Sequence, residues 1–492
     1  MPMTDRAYFE GGALEALMDE VLTLRAAVAA GNPAVPAAEG EAVAGLANLG
    51  HYLALRHHDL RPLQRRLMPL GLSSLGRLES RVLPTLDAVL SALAAMTGRQ
   101  SPYPAPDERA FFAGEARLAA ATDALFGAAP AHRRGRIMVT LPSEAAGDPG
   151  FLLDLAERGM DSARINCAHD DADTWRKLAR HVRAAGEAVG RDIRVLMDIA
   201  GPKIRTGEVL AARKGKLTVG DLVRLVAEGA PRPDEEVPFS ASVSLPEIVL
   251  RLSAGDRVRY DDGKLEGVVE SAGGGEAVLR VTHTKAGGAK LKAEKGLNLP
   301  DTELDLSPLT VKDDADLATV LECADMLGYS FVSRAEDIDM LDEALVRHGK
   351  REHPLGLIAK IEQPRAVRNL PALIARATQG GRPFGVMIAR GDLAAEIGFE
   401  RVAEMQEEIL WLCEAAGVPA IWATQVLEDL VKDGLPSRGE MTDAAMAARA
   451  ECVMLNKGPA VGEAVSVLDR LLARMDGHIF KKTPTLRALQ SW

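Results

Sequence analysis

From residue 136 onward the chain alternates short, almost wholly apolar runs with amphipathic stretches, and it does so eight times. The runs are RIMVT (136–140), SARIN (162–166), RVLMDIA (194–200), ADMLGYSFV (324–332), LGLIAKIE (355–362), GVMIAR (385–390), PAIWAT (419–424) and CVMLN (452–456). A strand that is apolar on both faces is buried on both, which implies a parallel sheet with helices packed over it. Eight strand–helix units predict a (β/α)8 (TIM) barrel, an α/β fold that typically takes about 250 residues.

The alternation breaks once, between the third and fourth runs. There GKLTVGDLVRLVAE, DRVRYDDGKLEGVVE and EAVLRVTHTKAGG read as short alternating strands with Gly-rich turns, an inserted small β domain over 208–300. The GGGEA stretch inside it is a turn, because no helix follows to make it a phosphate loop. Upstream, GALEALMDEVLTLRAAVAAG and SSLGRLESRVLPTLDAVLSALAAM carry apolar residues at helical spacing. The expected organisation is a helical region at 1–130, the barrel in two parts at 131–207 and 301–476, the insertion at 208–300 and a tail at 477–492.

The net charge of −11 argues against non-specific nucleic-acid binding, which calls for a basic surface. No stretch of about 18 apolar residues exists to span a bilayer, and MPMTDRAYFEGG does not read as a signal peptide. Four dispersed cysteines give neither a disulfide framework nor a zinc spacing, so a reduced, cytoplasmic setting is expected. His51, His57 and His58 have no acidic or cysteine partner at ligand spacing and read as a polar helix face. Cys413 and Cys452 read as core residues, GLSSLGR (71–77) as a helix cap, and Trp422 as a packing residue that could alternatively face the lumen.

In such barrels the chemistry gathers at the C-terminal ends of the strands. Those ends carry Arg164 and Asn166, Asp198 with Lys203 and Arg205 beyond it, Lys360 and Glu362, Arg390-Gly391-Asp392, Thr424-Gln425, and Asn456-Lys457-Gly458. Lys360 and Glu362 are two apart on a strand, so they share a face, and the lumen mouth suits them better than the helical shell. Glu362 with Asp392 makes a two-carboxylate site for a hard divalent cation. Arg164, Lys203, Arg205 and Lys360 add positive charge for a phosphate-bearing anion. Singly these residues suit a salt-bridge network; together on adjacent strands they suit a phosphate and metal site.

The chain resembles the pyruvate kinase family. The resemblance rests on SARINCAH, MDIAGPKIRTG, YDDG, KGLNLP, AKIEQPRAVRNL, GVMIARGDLAAEIG, AIWATQVLEDL and PSRGEMTDAAMAA, in order across 136–475. It implies a barrel with a small β-barrel lid inserted after the third strand. It implies a cytoplasmic, glycolytic phosphotransferase acting on phosphoenolpyruvate and ADP to give pyruvate and ATP, with Mg2+ or Mn2+ and as a homo-oligomer. Lys360 would be the catalytic lysine, Glu362 and Asp392 the metal ligands, and Arg164 the grip on the phosphate. The amides of Gly391 and Asp392 would hold the substrate carboxylate, and Thr424 would lie where carbon 3 is protonated. Asn166, His169, Arg205 and Lys295 would approach the nucleotide phosphates.

Many members of that family bind potassium through Asn, Ser, Asp and Thr oxygens. Here Asn166 and Asp198 persist, but Ala168 and Ile199 stand at the other two places, and Lys203 stands where potassium-dependent members have glutamate. The resemblance therefore implies that potassium is not required, with Lys203 taking the ion's place and pairing with Asp198. Three departures bear on the assignment: NCAHD and NKGPA replace the family's usual NFSHG and SGETA, the family's C-terminal regulatory domain has no counterpart, and the N-terminal helices are additional. Two other readings compete: a metal-dependent lyase or aldolase working through a pyruvate enolate, and a non-catalytic phosphoenolpyruvate sensor.

Overall fold

The computed structural model describes residues 11–35, 43–72, 74–261, 263–302, 304–349 and 353–485. The last seven positions of the expected tail, and Asp262 of the YDDG motif, lie outside the described residues. Helices α1 (Gly11–Ala29), α2 (Val43–Arg56), α3 (Arg61–Leu67), α4 (Val82–Thr97) and α5 (Glu108–Phe126) come first. The barrel then opens with β1 (Arg136–Thr140), α6 (Pro149–Arg158), β2 (Ser162–Asn166), α7 (Ala172–Val189) and β3 (Arg194–Asp198). The insertion supplies β4 (Thr206–Ala211), β5 (Leu222–Val226), β6 (Phe239–Val243), α8 (Glu247–Arg251), β7 (Arg257–Tyr260), β8 (Leu265–Gly273), β9 (Glu276–Thr284) and β10 (Leu297–Asn298).

The barrel resumes with α9 (Val311–Cys323), β11 (Met326–Tyr329), α10 (Ala335–His348), β12 (Gly356–Ile361), α11 (Pro364–Arg368), α12 (Leu370–Gln379), β13 (Phe384–Ala389), α13 (Arg390–Ile397) and α14 (Phe399–Ala416). It ends with β14 (Ala420–Ala423), α15 (Glu428–Asp433), α16 (Arg438–Ala447), β15 (Cys452–Leu455) and α17 (Val461–Met475). The eight parallel strands close in the order β1-β15-β14-β13-β12-β11-β3-β2. Each of the eight apolar runs holds one of these strands, because burial on both faces demands apolar side chains on both.

The insertion is a seven-stranded sheet in the order β10-β7-β8-β9-β5-β6-β4, with its own apolar core. It curls back on itself: Thr206, at the start of β4, accepts from the Glu294 amide and donates to Lys295 just ahead of β10. The lid rests on the barrel through Arg259, which donates to the Ala395 carbonyl at 2.8 Å, and Asn298, which donates to Glu396 at 2.8 Å.

The N-terminal helices are part of the barrel's packing. Leu125 and Phe126, at the end of α5, join Met138, Leu196, Met326, Ile358, Met387, Ile421, Cys452 and Met454 in one buried cluster that fills the lumen. A Cβ at Gly356 or Gly385 would lie 2.7 or 2.6 Å from a Leu125 methyl, so the bare glycines at two strand starts admit the plug. Trp422 points the other way, into the outer core between strands and helices.

On the flank, Asn48 of α2 donates to Glu79 O and to Ala415 O at the end of α14, tying the helical region to the shell. Beneath this clasp lies Glu414, 8 % exposed. Burial pushes its carboxyl up to about 7, with Glu79 and Glu451 adding to the effect and Lys481 and Lys482 opposing it. A group raised in the folded state favours folding when protonated, so its contribution is full below the ordinary value near 4.5 and is lost as pH rises through about 7. Stability is therefore expected to fall by up to about 3 kcal/mol across that interval. Glu414→Gln should flatten the pH dependence of the thermal midpoint there; an unchanged slope refutes this assignment.

Candidate active site

The site is built at the strand ends, level by level. Arg164 stands opposite Thr140 and Leu196, Asn166 opposite Asp198, and Lys360 opposite Met387. Because strand side chains alternate, Lys360 shares the lumen face with Ile358 of the plug cluster. Its Nζ donates to Ser330 Oγ at 2.7 Å and lies 2.8 Å from Glu362 Oε1 and 3.3 Å from Asp198 Oδ1. Lys360 is 8 % exposed, Glu362 2 % and Asp198 1 %.

Burying charge is costly unless opposite charges and donors surround it. Burial works against the Lys360 ammonium, but Asp198 and Glu362 more than offset it and hold its pKa above the ordinary lysine value. Burial likewise opposes the Asp198 charge, yet Lys360 and Arg164 keep that carboxyl below its usual range. Glu362 goes the other way. Burial, reinforced by the Asp392 carboxylate, pushes it up despite Lys360. Two acids that repel one another at a barrel mouth invite a cation between them.

Lys203 departs from expectation. It does not pair with Asp198; its Nζ lies 2.6 Å from Asp392 Oδ1. Asp198 is already saturated: Arg164 Nε donates to its Oδ2 at 2.8 Å, Arg164 Nη2 donates to the same atom, and Ser330 and Lys360 face its Oδ1. The lysine stem reaches past it to the acid that still lacks a partner. Ile199, where a hydroxyl would be needed to ligate potassium, is a fully buried core residue. Asn166 Oδ1 accepts from the Ala168 amide at 3.1 Å.

The end of β13 runs directly into α13, so the Gly391 and Asp392 amides stand at a helix N-terminus. The Gly391 amide donates to Thr424 Oγ1 at 2.8 Å. Thr424 and Gln425 both adopt positive φ, 65° and 56°, a strained conformation for residues with a Cβ. Arg390 holds that turn: it donates to Ala423 O at 3.0 Å and Thr424 O at 2.6 Å, pairs with Asp443 and stacks 4.7 Å from the Trp422 ring. On the lid side, Arg205 donates to Glu294 O at 3.2 Å and Lys295 lies 3.2 Å from Asp261. His169, just past β2, is exposed. Burial first, then the charges of Lys457 and Arg205, hold its imidazole below the ordinary histidine value.

Ser330 and Phe331 were not singled out as site residues from the sequence, and Arg390 was read there only as a strand-end residue without a role. Ser330 accepts from Lys360 and donates to Ile199 O at 2.7 Å, while Phe331, at φ 58°, presents its amide to Glu362 Oε2 at 2.7 Å. Both lie inside the apolar run 324–332, just past the end of β11, with no motif to mark them; a polar residue at a strand end was the available signal. As a metal site, the donor set is two carboxylates just past the ends of the adjacent strands β12 and β13. That fits Mg2+, which takes one or two carboxylates and leaves its other positions to water and substrate oxygens.

A family model described as "Pyruvate kinase, barrel domain" matches residues 132–465, more than half the chain. The chain belongs to the pyruvate kinase family. It is 32 % identical to a pyruvate kinase of Mycobacterium tuberculosis, over 70 % of either chain, and 34 % identical to one of Agrobacterium vitis, over 73 % of either. A crystal structure of a pyruvate kinase from Cryptosporidium parvum superposes with a TM-score of 0.62 at 28 % identity, over 71 % of this chain and 70 % of that one. The match to the pyruvate kinase barrel takes in Arg164, Lys203, Lys360, Glu362, Asp392 and Thr424, and leaves α1 to α5 outside it.

Ser330→Ala removes the hydroxyl that links Lys360 to the β3 end. It is expected to lower kcat/KM about tenfold, the worth of one hydrogen bond to a charged group, with little change in thermal midpoint. An unaltered kcat/KM would reduce Ser330 to packing.

Proposed function

We propose that the protein transfers the phosphoryl group of phosphoenolpyruvate to ADP, giving pyruvate and ATP, with Lys203 in place of a monovalent cation. The observation that carries the reading is the buried Lys360 ammonium held between Asp198 and Glu362, with the Asp392 carboxylate, just past the neighbouring strand, close enough to act on Glu362.

The bond between phosphorus and the enol oxygen breaks and a new one forms to the terminal oxygen of ADP. The electron pair stays on the enol oxygen, where Lys360 supplies a fixed, preorganised positive charge. Arg164, oriented by Asp198 and Thr140, grips the phosphate with a planar fork of donors. The helix start at Gly391 and Asp392 receives the substrate carboxylate. A divalent cation, Mg2+ or Mn2+, held by Glu362 and Asp392 would neutralise the phosphate and enolate oxygens. Thr424, beside the Gly391 amide, stands where a proton reaches carbon 3. Ketonisation of the enol then draws the transfer downhill, so the chain's task is to position reactants and balance charge.

Support for the potassium-independent reading comes from Ala168 and Ile199, which offer no side-chain oxygen, and from a lysine already stationed at the site. Buried Cys167, Cys413 and Cys452 suit a reduced cytoplasmic setting, and no helix among the described residues is long and apolar enough to cross a membrane.

Lys360→Met is expected to lower phosphoryl transfer to ADP by about 10^3-fold, as loss of a charge-stabilising donor does, while substrate binding stays measurable; unimpaired transfer refutes the role. Turnover is expected to be the same when potassium is replaced by a bulky organic cation. A large loss of rate would overturn the part given to Lys203.

A further inference from the structure

The cations at the barrel mouth are spent on protein acids or carbonyls. Arg164 is held by Asp198, Lys203 by Asp392, Lys360 by Asp198 and Glu362, Arg205 by the Glu294 carbonyl and Lys295 by Asp261. Lys457 is different. It makes no hydrogen bond or ion pair with any other described residue, and it is exposed.

Its backbone is nonetheless firmly placed. Asn456 donates to Glu428 of α15 at 2.9 Å, the Ala460 amide donates to Val431 O at 3.0 Å, and the Val461 amide closes a turn on Gly458 O. A Cβ on Gly458 would lie 2.7 Å from Val431 O, so the loop is pressed flush against α15 and only glycine fits there. The one outward-facing charge of this loop is thus presented by a rigid support. A solvated surface lysine has no use for such a mounting.

What Lys457 faces follows from the barrel order. β15, β1 and β2 are neighbours, so the ends of β15 and β2 are two strand spacings apart, about 10 Å. Across that gap stands His169, whose loop is tied to the end of β1 by Ser143 donating to Asp170 at 2.7 Å. Lys457, Arg205 and Arg164 all act on His169 through their charge. Positive groups thus border a gap that holds one exposed imidazole, with the Asp170 charge opposing them there. A gap of that width, open to solvent and rimmed by cations, suits a diphosphate.

We propose that Lys457 is a phosphate-binding residue for the nucleotide, gripping the terminal phosphate of a nucleoside diphosphate from the side opposite Arg205. This rests on the nucleotide side of the function proposed above and adds a residue to it. The lysine compensates for a loop that offers Asn456, Gly458 and Pro459 at the same edge and therefore no other charge.

The test is Lys457→Met with Lys457→Arg beside it. Lys457→Met is expected to raise KM for ADP by roughly 10-fold to 100-fold, the worth of one charge-assisted contact. KM for phosphoenolpyruvate and the thermal midpoint should stay near the parent values, and Lys457→Arg should recover most of the affinity for ADP. Calorimetric titration with ADP and with AMP gives a reading that needs no turnover: the substitution should weaken ADP binding and leave AMP binding unaltered. A KM for ADP unchanged in Lys457→Met, an equal rise for both substrates, or no ADP binding by the parent protein overturns the proposal. A parent that binds ADP through Lys457 but transfers no phosphate would sink phosphotransfer and leave this assignment standing.

Discussion

A single ammonium, that of Lys360, sits nearly dry at the mouth of a closed barrel, and the rest of the site is arranged to keep it charged. Two carboxylates flank it, a serine hydroxyl accepts from it, and Arg164 balances the acid on its far side. Neither the positive nor the negative set could be buried alone without losing its charge. Their mutual dependence explains why residues from β2, β3, β12 and the segment after β11 must arrive at one level, and hence why the strand register matters to the chemistry.

The two carboxylates do not share one state. Asp198, braced by Lys360 and Arg164, is held below the usual carboxylate range and serves the protein's own cations. Glu362 is pushed up by burial and by the Asp392 carboxylate, an environment that a cation or a proton relieves. In this structure Lys203 takes up part of that demand at Asp392. Acids of the same type are thereby divided between scaffolding and ligation by what surrounds them.

The barrel strands were legible because burial on both faces leaves an unbroken apolar run, and the eight runs each hold a strand. Lys360 and Glu362 were legible as a pair because strand geometry alone puts residues two apart on one face. The partner of Lys203 was not, since a four-carbon stem reaches several acids and the choice turns on which of them is already saturated. Ser330 and Phe331 were missed for a related reason: their roles lie in a left-handed backbone turn and a hydroxyl's contacts, which no residue pattern announces. The helices of 11–126 were readable as helices from their spacing, but the lumen they enter could not be inferred without knowing where Gly356 and Gly385 leave room.

Leu125 reaches up between those two glycines, with Phe126 beside it in the same buried cluster, from a helix that precedes the first strand. What looks like a modular catalytic cylinder with an added prefix is therefore a cylinder whose floor is lent by the prefix. Excising the chain near residue 131 would leave an oily socket open to water rather than an independent unit. Gene fusions or exchanges that treat the boundary as a clean seam would have to bring a replacement stopper with them.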